Sequence, residues 1–376
     1  MTVEETLAQL VAIDSVSARS NEEIVDYLEQ RCRSLRFSTR RFSYQDETGI
    51  EKINLVALAG TDSANETQIE LALVGHTDTV PYDPAWTEAR VLTETDGKLY
   101  GRGSCDTKGF ISAALTAVES LDLTQLQRPL ALIFTSDEEI GLVGAKFLAQ
   151  KQPFRVRYSI IGEPTSLQPI RAGKGYSLAE VIVRGREAHS AYPALGTSAV
   201  FAAARLISRL EKIGLQLNDE QHAAFDPPYT TLNVGLIRGG SAKNVIAGEC
   251  RFTLEWRPIP KQPAARVLEL LNLAIEDEKR HDPDFVCTVD ASRADSGFET
   301  PVDSPLINLL EEATGKAAGT VAFGTEGAQM MALGSESVVI GPGDIRVAHR
   351  TGEYVPRDEL NRCCDILAHA VKSLCL

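Results

Sequence analysis

The chain has 376 residues, 43% of them hydrophobic and 24% charged, with a formal net charge of -14. This composition excludes global disorder, and the acidic balance argues against a nucleic-acid partner. No apolar run is long enough to span a bilayer, so no membrane partner is expected.

The start, Met1-Thr2-Val3-Glu4-Glu5, lacks the basic region of a signal peptide. Seven cysteines are scattered with no CxxC pair, which predicts no disulfide framework and a reducing, cytoplasmic setting. Thr2 to Ile13 shows helical spacing through Leu7, Leu10, Val11 and Ile13. Ser20-Asn21-Glu22-Glu23 reads as a capping box opening a helix with Ile24, Val25, Leu28, Cys32 and Leu35 on one stripe. A polar section from Gln45 to Lys52 precedes a strand, Ile53–Leu58, and then a turn-rich loop, Thr61–Thr67.

The next apolar run, Ile69–Val74, stops at Gly75 and delivers His76. Asp78 follows two residues later, and Pro81 forbids the strand from continuing. The tip of a buried strand in an open α/β sheet is where such folds place ligands. His76 can offer a ring nitrogen to a metal, and Asp78, on the same face of extended chain, can hold the other nitrogen. Tyr82–Trp86 reads as irregular chain. The loop Gly101-Arg102-Gly103-Ser104-Cys105-Asp106-Thr107-Lys108-Gly109 then leads into an Ala-rich helix reaching Ser120. Its Gly-x-Gly pair hints at dinucleotide binding. The third glycine position is occupied by Asp106, which would repel a pyrophosphate, so that reading is rejected.

Three further apolar runs end as the first does. Leu130–Phe134 is followed by Asp137-Glu138-Glu139. Tyr158–Ile161 is followed by Gly162-Glu163-Pro164-Thr165. Val338–Ile340 is followed by Gly341-Pro342-Gly343 and then Ala348-His349. Short, continuously apolar runs read as strands of a parallel sheet buried on both faces. Between the third and fourth lie a strand (Tyr176–Val183), a helix (Ser198–Ile213), two strands (Thr230–Ile237, Glu249–Trp256), a helix (Ala264–Lys279) and a strand (Phe285–Val289). This βαββαβ order is the split βαβ, ferredoxin-like pattern. The fold class is therefore α/β, with a mostly parallel sheet and an inserted α+β domain. The expected boundaries are 1–173 and 292–376 for the first domain and 174–291 for the insertion. Pro305–Thr314 and Asp358–Leu376 read as helices.

Two histidines and several carboxylates at strand tips suit a pair of borderline metal ions such as zinc. Two ions around a water make a nucleophile at neutral pH and polarise a carbonyl. Either Glu138 or Glu139 is then left as general base. The reaction class implied is metal-assisted hydrolysis of an acyl or amide bond. His189, in Gly185-Arg186-Glu187-Ala188-His189-Ser190, could donate to a developing oxyanion. Arg257, held before Pro258, suits a bidentate grip on a carboxylate.

In order and separation, Gly75–Pro81, Gly101–Gly109, Asp137–Glu139, Gly162–Thr165 and Ala348–His349 resemble the M20 metallopeptidases and deacylases, over nearly the whole chain. The stretches Glu163–Pro169 and Pro228–Gly235, with Gly239-Gly240 and Asn244, resemble members acting on N2-acetyl-L-ornithine. The resemblance implies His76 and Glu163 on one divalent ion, Glu139 and His349 on the other, and Asp106 bridging, the ions being zinc or cobalt. It further implies that Asp78 orients His76, that Glu138 is the general base, and that His189 reaches the partner subunit's site in a homodimer built through the inserted domain, which also serves as a lid. Arg257 with Asn244 would hold the α-carboxylate of a small N-acyl amino acid. The loop with Thr325 and Glu326 would face the substrate, Glu326 pairing with a cationic side chain, the alternative being a helix-capping or metal-loop role for Glu326. The expected reaction gives acetate and L-ornithine, as in arginine biosynthesis.

Gly173–Tyr176, Ala191–Gly196 and the residues flanking His349 depart from that pattern and border the substrate. Succinyl-diaminopimelate, acetylcitrulline and dipeptides are the rival substrates. A second acyl carboxylate would need a second cationic clamp, and none is evident. A catalytically inactive binding protein is the non-enzyme rival, and the intact set of metal residues with Glu138 argues against it.

Overall fold

The four apolar runs lie side by side. A computed structural model describes residues 1–60, 68–282 and 284–376. It divides into two units, one of residues 1–171, 299–319 and 325–376, the other of 172–298 and 320–324. The loop expected at Thr61–Thr67 lies outside the described residues.

In the first unit the strands Leu130–Thr135, Gln68–His76, Arg155–Ile161 and Glu336–Val339 are consecutive and parallel. Their register aligns His76 with Thr135, Val74 with Ile161, and Val339 with Ile161. All four C-terminal tips therefore open on one edge of the sheet. Two antiparallel strands, Glu51–Ala59 and Ser38–Gln45, extend the opposite side. Leu130–Thr135 is buried at every position, as a parallel strand covered on both faces must be. Ile53, Leu55, Ala57, Leu71 and Leu73 join one apolar cluster with the helices Val3–Ala12, Glu22–Ser34, Lys108–Glu119 and Arg357–Cys375. The helices Val143–Lys151 and Gly327–Ala332 pack on each other and on the sheet.

The N-terminal helix has a reciprocal cap: Thr2 accepts from the Glu5 amide at 3.1 Å, and Glu5 from the Thr2 amide at 3.0 Å. The capping box expected at Ser20–Glu23 does not form. Asn21 caps that helix without a side-chain bond. Its amide instead brackets the backbone of Ile53, accepting from its N–H at 3.0 Å and donating to its carbonyl at 2.8 Å. A buried strand edge outcompetes the helix for this side chain.

The second unit has a four-stranded antiparallel sheet in the order Thr231–Gly239, Glu249–Arg257, Ser177–Arg184, Val286–Ala294. The helices Ala199–Leu217 and Arg266–His281 cover it, sealing Val181, Leu206, Leu210, Phe252, Trp256, Val267 and Leu271 in a separate core. Chain order is strand, helix, strand, strand, helix, strand. The fully buried Trp256 donates its indole N–H to the Ala264 carbonyl at 2.9 Å.

Candidate metal centre

His76 is the last residue of its strand. Its Nδ1 donates to the main-chain carbonyl of Asp78 at 3.0 Å. That bond leaves Nε2 as the lone-pair nitrogen of the neutral ring, the form that binds a cation. Nε2 lies 3.0 Å from Asp106 Oδ1. On the other side of Asp106, Oδ2 is 3.1 Å from His349 Nε2, which is also 3.0 Å from Glu139 Oε2. Single ligand atoms of His76, Asp106 and Glu139 lie within 4.8 Å of one another. His349 reaches this position with φ of 60°, a left-handed conformation that non-glycine residues hold only where surrounding contacts enforce it.

The sequence points to the Asp78 carboxylate as the partner of His76, but the main-chain carbonyl takes that place, and Oδ1 is 3.6 Å away. The carboxylate accepts from the amides of Glu138 (3.0 Å) and Glu139 (3.3 Å) and from the Ser17 hydroxyl (2.7 Å). It therefore ties the His76 tip to the turn bearing the paired glutamates. That turn begins at Asp137, also left-handed with φ of 54°. Asp137 is held by Lys52 Nζ at 3.0 Å and the Tyr44 hydroxyl at 2.8 Å.

Glu163 is buried, 7% exposed, at the tip of its strand. A Cβ at Gly162 would lie 2.1 Å from the Phe110 ring, and one at Gly341 would lie 2.5 Å from the Glu163 carbonyl oxygen. Only glycine admits such close approach.

Burial pushes the carboxyls of Glu138 and Glu163 well above their usual range, and the negative charges of their neighbours add to it, with His76 opposing. Glu139 is raised by burial and by Asp106. Against the same burial, His349 and His76 hold Asp106 low. Hydrogen bonds to Asp106 and Glu139 push His349 up to about 10. This donor set of two imidazoles and three carboxylates, with a further acid beside it, fits divalent cations.

The remaining predicted residues are differently placed. His189, in the second unit, is exposed. Its Nδ1 accepts from the Ala191 amide at 3.1 Å, so the neutral ring carries its proton on Nε2. Asn244 is beside it: Ser190 donates to the Asn244 carbonyl at 3.0 Å, and His189 bridges to Val245. Arg257 donates to Glu255 at 2.8 Å and stacks 4.7 Å over Tyr176. Within this unit the structure does not bring His189 and Arg257 together. Residue 184, just before the His189 loop, pairs with Glu249. Arg257 ends the same nine-residue strand, which spans roughly 27 Å.

Thr325 is buried and uses its hydroxyl to accept from the Gly327 amide at 3.2 Å. Glu326 is 1% exposed. Pairing with a substrate ammonium needs an accessible face, which this carboxylate lacks. Its carboxylate is buried beside the Thr135 side chain, which opposes the effect of burial on its charge. Burial raises its pKa. A raised carboxyl costs stability as pH climbs above its usual 4.5, because the folded state then holds the proton more tightly than the unfolded one. Glu326→Gln is expected to raise the melting temperature more at pH 7.5 than at pH 4, because it removes a buried carboxyl that resists ionisation. Thermal melts at the two pH values check this, and equal gains at both would contradict it.

Several side chains around the centre carry no signal in the sequence. Ser17, Tyr44 and Lys52 lie far ahead of the glutamates they support, and Lys52 is fully buried. Glu353 and Arg102 form a buried ion pair, 1% and 4% exposed, across 251 positions. The burial of Cys105 raises its thiol pKa, which disfavours the thiolate. All seven cysteines are free. No helix of the described residues is long and apolar enough to cross a membrane.

A sequence profile described as peptidase family M20/M25/M40 matches residues 72–373. An acetylornithine deacetylase of Myxococcus xanthus is 52% identical over 371 residues, 98% of this chain and 97% of that protein. A tripeptidase from Staphylococcus aureus has a similar structure, with a TM-score of 0.77 at 23% identity, over 99% of this chain and 97% of that one. A dinuclear metal binding peptidase of the M20 family from Bacillus subtilis gives a TM-score of 0.68 at 13% identity, covering 99% and 97%.

Proposed function

Because the chain belongs to peptidase family M20/M25/M40, we propose that it uses two divalent ions, zinc in this reading, to hydrolyse N2-acetyl-L-ornithine to L-ornithine and acetate in arginine biosynthesis. The observation that carries the chemistry is Asp106, with one imidazole on each carboxylate oxygen. His76 and Glu163 would hold one ion, Glu139 and His349 the other, and Asp106 both. When bound, the ions polarise the amide carbonyl and make a water acidic at neutral pH.

The chain's own residues do the rest. Glu138 accepts a proton from the attacking water, then delivers it to the amine nitrogen as the C–N bond breaks. Burial raises this carboxyl, which makes it a stronger base toward the water. The Nε2–H of His189 donates to the carbonyl oxygen as it gains charge. Arg257, preset by Glu255 and Tyr176, grips the α-carboxylate, and Asn244, which lies beside His189, assists from the subunit that supplies His189. The placement of His189 and Arg257 at opposite ends of one strand supports a homodimer through the second unit, one subunit supplying each. Seven free thiols fit a reducing cytoplasm.

The deciding experiment is a panel of N2-acetyl-L-ornithine, N2-acetyl-L-citrulline, N-succinyl-diaminopimelate and a dipeptide, assayed with zinc or cobalt. The highest kcat/KM is expected for acetylornithine, and a preference for any other member overturns the substrate. His189→Ala is expected to lower kcat by about 10²–10³-fold with bound metal unchanged. Undiminished turnover would remove His189 from the mechanism.

A further inference from the structure

Asp106 can serve two imidazoles only if its carboxylate is presented at a fixed angle, and its own helix does not fix that angle. Asp106 precedes the helix Lys108–Glu119, whose cap residue Thr107 makes no side-chain capping bond. The constraint comes from the other end of the chain. Glu353 Oε1 accepts from two consecutive amides, Cys105 at 2.9 Å and Asp106 at 3.0 Å. Its Oε2 takes Nη1 of Arg102. Its main-chain carbonyl accepts from the Gly101 amide at 3.1 Å. Arg102 is anchored in turn by the Pro81 carbonyl at 3.3 Å and by the face of Trp86 at 5.5 Å. Glu353 also lies four positions after His349, and its amide donates to Arg350 at 3.2 Å. One side chain thus joins the loop of Asp106 to the loop of His349.

We propose that Glu353 is a positioning residue: by holding both amides on Oε1 it sets the direction of the Asp106 carboxylate, and hence the affinity for the ions. The inference rests on the metal-binding reading of the centre. It separates the amide contacts, which orient Asp106, from the ion pair with Arg102, which braces the loop. Two substitutions distinguish these parts. Glu353→Gln keeps an acceptor at the same reach and loses the charge. Glu353→Asp keeps the charge and withdraws the acceptor by about 1.5 Å, one carbon–carbon bond.

Zinc affinity is measured by competition with a chromophoric chelator, on wild type and both variants, alongside thermal melts. Partners behind metal ligands typically set affinity by about 10–100-fold. Glu353→Asp is expected to bind zinc more weakly by that factor, and Glu353→Gln to stay within about threefold of wild type. The reverse order assigns Glu353 to the ion pair alone and overturns the proposal, as does wild-type affinity in both variants. If Glu353→Asp does not fold, Arg102→Lys decides, because it leaves both amide bonds in place. Affinity within about threefold supports the proposal, and a loss of tenfold or more overturns it. Wild-type protein that binds no zinc overturns the metal reading itself, and this inference with it.

Discussion

Glu138→Gln lowers kcat by about 10²–10⁴-fold and leaves the number of bound ions unchanged. The substitution keeps the size and the backbone of the turn, whose Glu138 amide donates to Asp78 at 3.0 Å. It removes only the ability to take and return a proton. Glu138 stands apart from the ligand contacts made by Glu139, which sits 3.0 Å from His349. Amide hydrolysis needs the same proton twice, first removed from water and then placed on the amine. A glutamine can do neither, so KM should change little while kcat collapses. Steady-state kinetics with metal analysis of the same sample checks this. A variant retaining more than about a tenth of wild-type kcat would return the role of base to Glu139 or to a group outside this turn.

Stripping the ions with a chelator abolishes turnover and lowers the melting temperature, and added zinc or cobalt restores both. The centre gathers Asp106, Glu138, Glu139 and Glu163 around two imidazoles, and three of these acids are raised by burial and mutual repulsion. Ions that bind only the folded chain stabilise it by mass action, by about 4 kcal/mol at a thousandfold excess over Kd. For a domain of this size each kcal/mol moves Tm by about 2–4 °C, so a drop of roughly 8–16 °C is expected. Turnover that survives verified removal of all ions would end the metal mechanism.

The residues that meet at the centre were legible because the chain marks them with an abrupt change of character. A run such as Leu71–Val74 has to be interior, and a histidine or acid straight after it stands at the sheet's edge. That physical signal marks His76 and Glu163 directly, while Glu139 and His349 lie further along the turns that leave their strands. The support behind them left no such mark. Ser38–Gln45 is assigned no element from the sequence, yet it is an edge strand whose Arg41 is held by Asp26 and Glu29. It is held by backbone pairing to Glu51–Ala59 and by contacts to a separate helix, which local pattern cannot reveal. Lys52 and Glu353 look like surface charges in sequence and are 0% and 1% exposed. Glu326 was expected to meet a substrate because of its loop, and burial is a property of packing that the loop composition does not encode. Asn21 shows the same limit, since its amide chose a strand over its own helix.

The centre draws on residues from Ser17 to Glu353, interrupted by the whole of the second unit. Asp106 therefore waits for His349 while 243 further positions are made, roughly 10–50 s at ordinary translation rates. The four-stranded unit can complete itself on the ribosome during that interval. The Glu336–Val339 strand must then slot beside Arg155–Ile161 before any cation finds its full cage. The centre therefore closes only after the second unit has been made, when His349 and Glu353 reach the loop of Asp106.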